Sequence, residues 1–257
     1  MNFQQQYNAL ETIVVKEIRR FMRIWIQTLL PPAITVALYF VIFGTLIGSR
    51  IGEMEGFSYM EYIVPGLIMM SVITNSYSNV VSSFFSTKFQ RSVEEMLVSP
   101  LPNYIVIWGF VIGGIARGLA VGLIVTLLAL FFTHLQVHNI LVTVSIVILT
   151  ATLFSLGGFI NAMYAGSFDD ISIVPTFVLT PLTYLGGVFY SISMLPPFWE
   201  TVSHFNPIVY MVNGFRFGIL GISDISLAVA YGMIILFVVI MYAWAHWLLN
   251  KGIGIRS

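Results

Sequence analysis

Six stretches of the chain run almost without charge, at about 27–47, 62–85, 105–131, 139–162, 171–190 and 227–249, and charged residues, Pro and Gly collect between them. A helix needs about 20 mainly apolar residues to cross a hydrocarbon core of roughly 30 Å. Inside that core the backbone can satisfy its own hydrogen bonds only as a helix or a closed barrel. Barrel strands alternate apolar with polar at every second residue, whereas 121–132 is continuously apolar apart from Gly122 and Thr126. The pattern predicts an all-α integral membrane protein with six transmembrane helices, 1–257 forming a single transmembrane domain. An even number of crossings puts both termini on one side.

Other periodicities lie outside these runs. Phe3, Tyr7, Leu10, Val14, Ile18, Phe21 and Trp25 recur every three or four residues, the spacing of one helical face. Lys16, Arg19, Arg20 and Arg23 fall on the other face, so 4–25 reads as an interfacial helix suited to anionic headgroups or to a soluble partner. Between the second and third runs, 86–98 carries Phe89, Val93, Met96 and Leu97 on one side and Lys88, Arg91, Glu94 and Glu95 on the other, until Pro100 and Pro102 stop it. This second short amphipathic helix has the character of a partner-docking element. Pro31 and Pro32 sit at the start of the first run, where a missing N–H costs little. The segment 191–226 is too hydrophobic for an ordinary loop, yet Pro196, Pro197, Pro207, Glu200, His204 and Arg216 interrupt it, which predicts short re-entrant helices.

Composition agrees with a membrane setting: 58% of residues are hydrophobic and 9% charged, against about 25% charged in a soluble domain. Eight of the eleven Lys and Arg residues, Lys16, Arg19, Arg20, Arg23, Lys88, Arg91, Lys251 and Arg256, fall on one face of the predicted topology. Cytoplasmic loops hold the excess of positive charge, so both termini are expected in the cytoplasm. The first apolar run is too long for a signal-peptide core, and the amino terminus is expected to be retained. A net charge of +0 without like-charge runs gives no nucleic-acid footprint. The absence of cysteine excludes disulfides and thiol chemistry.

Within the third run, Gly109, Gly113, Gly114, Gly118 and Gly122 form a stripe without side chains, on which another helix can approach to backbone contact. Arg117 stands beside it near mid-span. A cation there costs at least about 2.5 kcal/mol on insertion scales unless paired or wet, so it is either a functional charge or one held by Asn75, Asn79 or Asn161. Asp169 and Asp170 suit the positive end of the fifth helix. No G-x-x-x-x-G-K-[ST] loop occurs, so nucleotide energy would have to reach the chain through another polypeptide. His134, His138, His204 and His246 are scattered without carboxylate neighbours in ligand spacing, and no metal site or catalytic grouping is expected.

Leu179, Leu182, Leu185, Gly186, Val188, Leu195, Pro196, then Pro207, Ile208, Tyr210 and Arg216 form an ordered, gapped series. It resembles the signature of the type 2 ABC-exporter permease family, membrane subunits of bacterial ABC transporters. The resemblance implies an inner-membrane permease that works as a dimer with two copies of a separate cytosolic ATP-binding subunit, which carries the ATP and Mg; no cofactor is expected on this chain. It also implies that 4–25 and 86–102 transmit closure of the ATPase to the spans, through Lys16, Arg19, Arg20, Lys88, Arg91, Glu94 and Glu95. With few charges inside the spans, an apolar, amphipathic or glycan-lipid substrate is expected. Phe189, Tyr190, Phe198 and Trp199 are available near the outer end to stack on sugars or to pack against lipid. The alternatives are an ATP-independent carrier or channel, although no half-to-half repeat is visible, and an anchor for a cytosolic protein.

Overall fold

The computed structural model describes residues 2–254; Arg256, one of the cations counted above, lies outside them, as does the side chain of Leu97. The chain opens with α1 (Phe3–Arg23), breaks at Ile24, makes the single turn α2 (Trp25–Thr28) and enters α3 (Leu30–Tyr39). Pro31 and Pro32 occupy the first turn of α3, as their missing donors require. α3 passes through the π-helical stretch Phe40–Ile47 into α4 (Gly48–Ile51). A small antiparallel hairpin, β1 (Glu53–Met54) and β2 (Phe57–Ser58), pairs Glu53 with Ser58 and turns the chain back.

α5 (Tyr59–Phe89) is the centre of the molecule. It starts at a reciprocal cap: Ser58 Oγ accepts from the Glu61 N–H at 3.3 Å, and Glu61 Oε2 accepts from the Ser58 N–H at 3.0 Å. Its 31 residues extend about 46 Å. Most are buried, because α7 (Asn103–Ala129) and α8 (Ile140–Tyr164) pack along it. Between α5 and α7 lies α6 (Ser92–Val98). After α8 comes a helix in three pieces: α9 (Asp170–Val174), the π-helical Pro175–Leu179, and α10 (Thr180–Tyr184). A 3₁₀ turn at Ile192–Met194, α11 (Pro197–His204) and α12 (Pro207–Leu220) precede the final α13 (Leu227–Lys251); α12 and α13 pack on α8.

Among the described residues, four helical segments are apolar and long enough to cross a membrane by length and composition: Trp25–Gly44, Asn103–Ala129, Ile140–Tyr164 and Leu227–Lys251. These coincide with the first, third, fourth and sixth expected crossings. α5 covers the second, but Ser, Thr and Asn residues dilute its apolar character. The fifth, expected over 171–190, is shorter: its three five-residue pieces end at Tyr184 and extend about 22 Å.

Local chemistry explains that shortening. Gly187 adopts φ +72°, and the returning chain lies on Gly66 of α5 so closely that a Cβ there would sit 2.6 Å from the Val188 carbonyl oxygen. Glycine at both places lets the chain reverse against the helix. Within the segment, Pro175 has no N–H to offer the Ile171 carbonyl, and Asn161 Nδ2 of α8 donates to it instead at 3.3 Å.

The segment expected as one helix over 86–98 is two. α5 continues to Phe89, Arg91 takes a left-handed φ of +59°, and α6 begins at Ser92. Apolar spacing continues through this break at Gln90 and Arg91, so periodicity alone does not reveal it. The segment 191–226 does break into short helices.

Candidate coupling site

α1 meets the bundle through small residues. A Cβ at Gly109 would lie 2.5 Å from Ile13 Cγ2, and one at Gly113 would lie 2.5 Å from Glu17 Cβ. Tyr104 Oη donates to Gln6 Oε1 at 2.9 Å. These contacts run in the same order along both helices, so α1 lies alongside the first half of α7 and points the same way. The remaining glycines serve other helices. Gly114 and Gly118 face Ser76 of α5, Gly114 also faces Ser155 of α8, and Gly122 faces Val72. The stripe thus packs helices within the one chain.

This seating corrects the expected face of α1. Buried on it are Ile13, Glu17 and Phe21, whereas Phe3, Tyr7 and Trp25 are exposed. Glu17 is 0% exposed. Its Oε1 accepts from Ser83 Oγ at 2.7 Å, and its Oε2 faces Arg20 Nε at 3.4 Å. Arg20 Nη2 donates to the Asn79 carbonyl at 2.9 Å and to Asn79 Oδ1 at 2.8 Å. The backbone glycine contact brings the carboxylate inside, and the ion pair and hydrogen bonds compensate its burial.

The partners lie on one edge of α5. Ser71, Asn75, Asn79, Ser83 and Thr87 recur every fourth residue, a polar line along an apolar helix. Arg117 Nη2 donates to Asn75 Oδ1 at 3.1 Å, and Asn75 Nδ2 donates to the Ser71 carbonyl at 3.0 Å. Of the partners expected for Arg117, Asn75 is the one used; Asn79 is held by Arg20 and Asn161 by Ile171. Arg117 Nε, Ser76 Oγ and Ser155 Oγ have no hydrogen-bond partner among the described residues. Between α3 and α5 a cleft of about 220 Å³, lined by Pro31, Thr35, Tyr39, Ser71, Thr74 and Asn75, reaches the same seam. Arg117 and Arg20 stand out in the sequence, one as a mid-span cation and one on a basic face, whereas Glu17 and Ser83 do not; the four-residue spacing of polar residues along α5 is the signal that carries Ser83.

The residues expected to couple separate into two groups. Lys16, Arg19, Arg91, Glu94 and Glu95 are exposed. Arg20 and Lys88 turn inward. Lys88 Nζ donates to the carbonyls of Met163 at 2.8 Å and Ala165 at 2.6 Å, a cation on the negative end of α8. Beside it, Phe168 packs on Phe85 and Phe89 with ring centroids 4.9 and 5.1 Å apart, joining the loop after α8 to the end of α5. Asp170 Oδ2 accepts from the N–H groups of Gly166 at 2.8 Å and Ser167 at 3.0 Å, so its carboxylate ties down that loop as well as standing in the first turn of α9.

The gapped series forms a clasp between α10 and α12. Leu179 is buried and Leu182 half-buried, while Leu185 lies exposed at the turn. A Cβ on Gly186 would lie 2.7 Å from Ile208 Cγ2. Leu195 is half-buried, and Pro196 stands immediately before α11. Pro207 opens α12, and Tyr210 Oη donates to the His204 carbonyl at 2.7 Å. Arg216, 1% exposed, donates from Nη2 to the Gly187 carbonyl at 2.6 Å and lies 4.1 Å from the centroid of the Tyr62 ring. Asn206, absent from the series, completes the clasp: its Oδ1 caps α12 at the Ile208 N–H, and its Nδ2 reaches the Leu182 carbonyl at 2.6 Å.

The central polar stripe, the small-residue helix contacts and this clasp describe a helical membrane subunit, and comparison places it. Residues 8–220 match the family described as "ABC-2 type transporter". The chain belongs to that family. It is 61% identical over 249 residues, 97% of each chain, to the "Inner membrane transport permease YadH" of Escherichia coli K12. It is 22% identical over 209 residues, 81% of each chain, to "Nodulation protein J" of Rhizobium leguminosarum bv. viciae. It is therefore a multi-pass permease of the inner membrane, the membrane subunit of an ABC transporter, and this membership implies an ATP-binding partner subunit.

Proposed function

We propose that the chain is the permease of an ATP-driven exporter, paired with a second copy of itself and with two cytosolic ATP-binding subunits that carry ATP and Mg. It crosses the membrane six times, α5 making the second crossing and 170–184 the fifth, with both termini in the cytoplasm. Its cargo is apolar, amphipathic or of the glycan-lipid type, because the crossing segments offer few charges to a bare ion. The observation that carries this reading is the buried attachment of α1 to α5 and α7 through Glu17, Arg20, Asn79 and Ser83. A force applied by a soluble partner at the exposed Lys16 and Arg19 would act on the central crossing helix directly, since packed elements transmit strain.

Recovery of the permease from native membranes in mild detergent, followed by identification of copurifying proteins and assay of their ATPase activity, tests the pairing. A cytosolic ABC ATPase whose activity depends on the permease supports it. A homogeneous permease that transports without such a partner overturns it in favour of the carrier.

Reversing the exposed charges, Glu94→Lys with Glu95→Lys, is expected to abolish stimulated ATP hydrolysis while the complex still assembles. Unchanged stimulation refutes a coupling role for α6. For Arg117→Ala, transport in reconstituted vesicles is expected to fall more than the amount of inserted protein, because the variant releases Asn75 beside the cleft. Normal transport by that variant makes Arg117 a packing residue.

A further inference from the structure

A groove of about 420 Å³ lies between α8, the broken segment 170–184 and α13. That volume falls within the range of about 300–1,000 Å³ typical of ligand pockets. Phe154, Val178, Phe237 and Met241 form its walls, and Gly157 takes a side chain away from its floor. The groove exists because α9 and α10 follow no regular helical path against α8: Pro175 and the π-helical stretch divert them, and Asn161 holds the segment at one point.

Its surroundings are ordered from apolar to basic. Tyr164 and Trp244 line one end, with ring centroids 6.1 Å apart. On α13, Phe237, Met241, Trp244 and Lys251 repeat at intervals of four, three and seven, which places Lys251 on the groove-facing stripe. The turn at 252–254 brings Gly254 against the Met163 carbonyl, so Lys251 belongs to the same end as Tyr164. Lys251 is exposed and has no ion-pair partner among the described residues.

We propose that this groove holds one acyl chain of an anionic phospholipid, drawn sideways from the bilayer, with its phosphate at Lys251. Apolar wall, aromatic rim and cation follow the order of acyl chain, interface and phosphate in a leaflet. The proposal requires only that the protein sits in a membrane, so it stands or falls separately from ATP-driven export.

The test is native mass spectrometry of the purified full-length protein titrated with phosphatidylglycerol or phosphatidylcholine of matched chains. Wild type is expected to retain one phosphatidylglycerol per chain in preference to phosphatidylcholine. A Cβ at Gly157 would make only ordinary contact with Tyr77, at 3.7 Å, so Gly157→Leu fills the groove without a backbone clash. That variant is expected to bind phosphatidylglycerol about ten-fold more weakly, because chain methylenes lose their apolar contacts. Lys251→Gln is expected to bind both lipids equally. Equal binding of the two lipids by wild type, or unchanged binding by Gly157→Leu, overturns the proposal. Should Gly157→Leu fail to fold, the exposed Lys251→Gln decides alone, and a retained preference for phosphatidylglycerol overturns it.

Discussion

Glu17→Leu is expected to lower stimulated ATP hydrolysis of the reconstituted complex by about 5–150-fold, the range of a coupling free energy of about 1–3 kcal/mol. Leucine keeps apolar volume over Gly113 but gives Ser83 no acceptor and Arg20 no counter-charge. Loss of a hydrogen bond to a charged group typically costs about 1.5–3 kcal/mol, so a modest loss of thermal stability accompanies the functional one. The ion pair contributes less than a fully buried one would, since the Arg20 side chain is 31% exposed and solvent screens that partner. Glu17→Gln retains an oxygen for Ser83 and should recover most of the stability and part of the coupling. The measurements are basal and substrate-stimulated ATPase rates together with a melt followed by size-exclusion fluorescence. Wild-type stimulation in Glu17→Leu would remove α1 from the coupling route.

The second large effect falls on folding. Gly114→Leu places a side chain where helices α5 and α8 both close on α7: a Cβ would already sit 2.6 Å from Val80 Cγ2 and 3.0 Å from the Ser76 carbonyl oxygen. The carbonyl belongs to helix backbone and cannot rotate away, so α5 must move bodily. Overpacking of this kind costs about 1–3 kcal/mol, occasionally more. The expected result is a melting temperature lowered by several degrees and a smaller monodisperse fraction. Gly232→Leu is the control: nothing lies within 4 Å of a Cβ there, on the exposed side of α13, and it should melt as wild type does. Equal melting of the two variants would mean that the glycine stripe does not set the packing distance.

Much of this arrangement was legible in apolar run length. The starts of α7, α8 and α13 fall within two residues of the expected crossings, because a lipid-facing helix must be apolar over nearly its whole length. The gapped series pointed to the right family, although its physical role, a clasp in which Gly186 admits Ile208 and Arg216 holds the Gly187 carbonyl, depends on two segments meeting in space. Apolar run length carries the fifth expected crossing past the observed end of the helix at Tyr184, because Leu185, Val188 and Phe189 are as apolar as lipid-facing residues, yet they belong to a turn lying on Gly66.

The amphipathic α1 shows most clearly where pattern ceases to decide. Its periodicity established a helix and a basic face. It assigned Glu17 no role and set Arg20 among the surface cations, because one-dimensional spacing treats every charge as outward-facing. Residues Ser71, Asn75, Asn79 and Ser83 stand on α5, more than fifty residues away, and only their stacking against α1 and α7 turns a charged pair into part of the interior. Lys88 likewise looks like a free loop cation until the end of α8 is brought to it. The sequence by itself determined that this is a helical membrane protein and where most of its helices lie, because the cost of exposing polar backbone to lipid is paid residue by residue. Which charges are buried, which glycines seat a neighbour and where a groove opens were decided by tertiary structure, since each depends on partners distant in the chain.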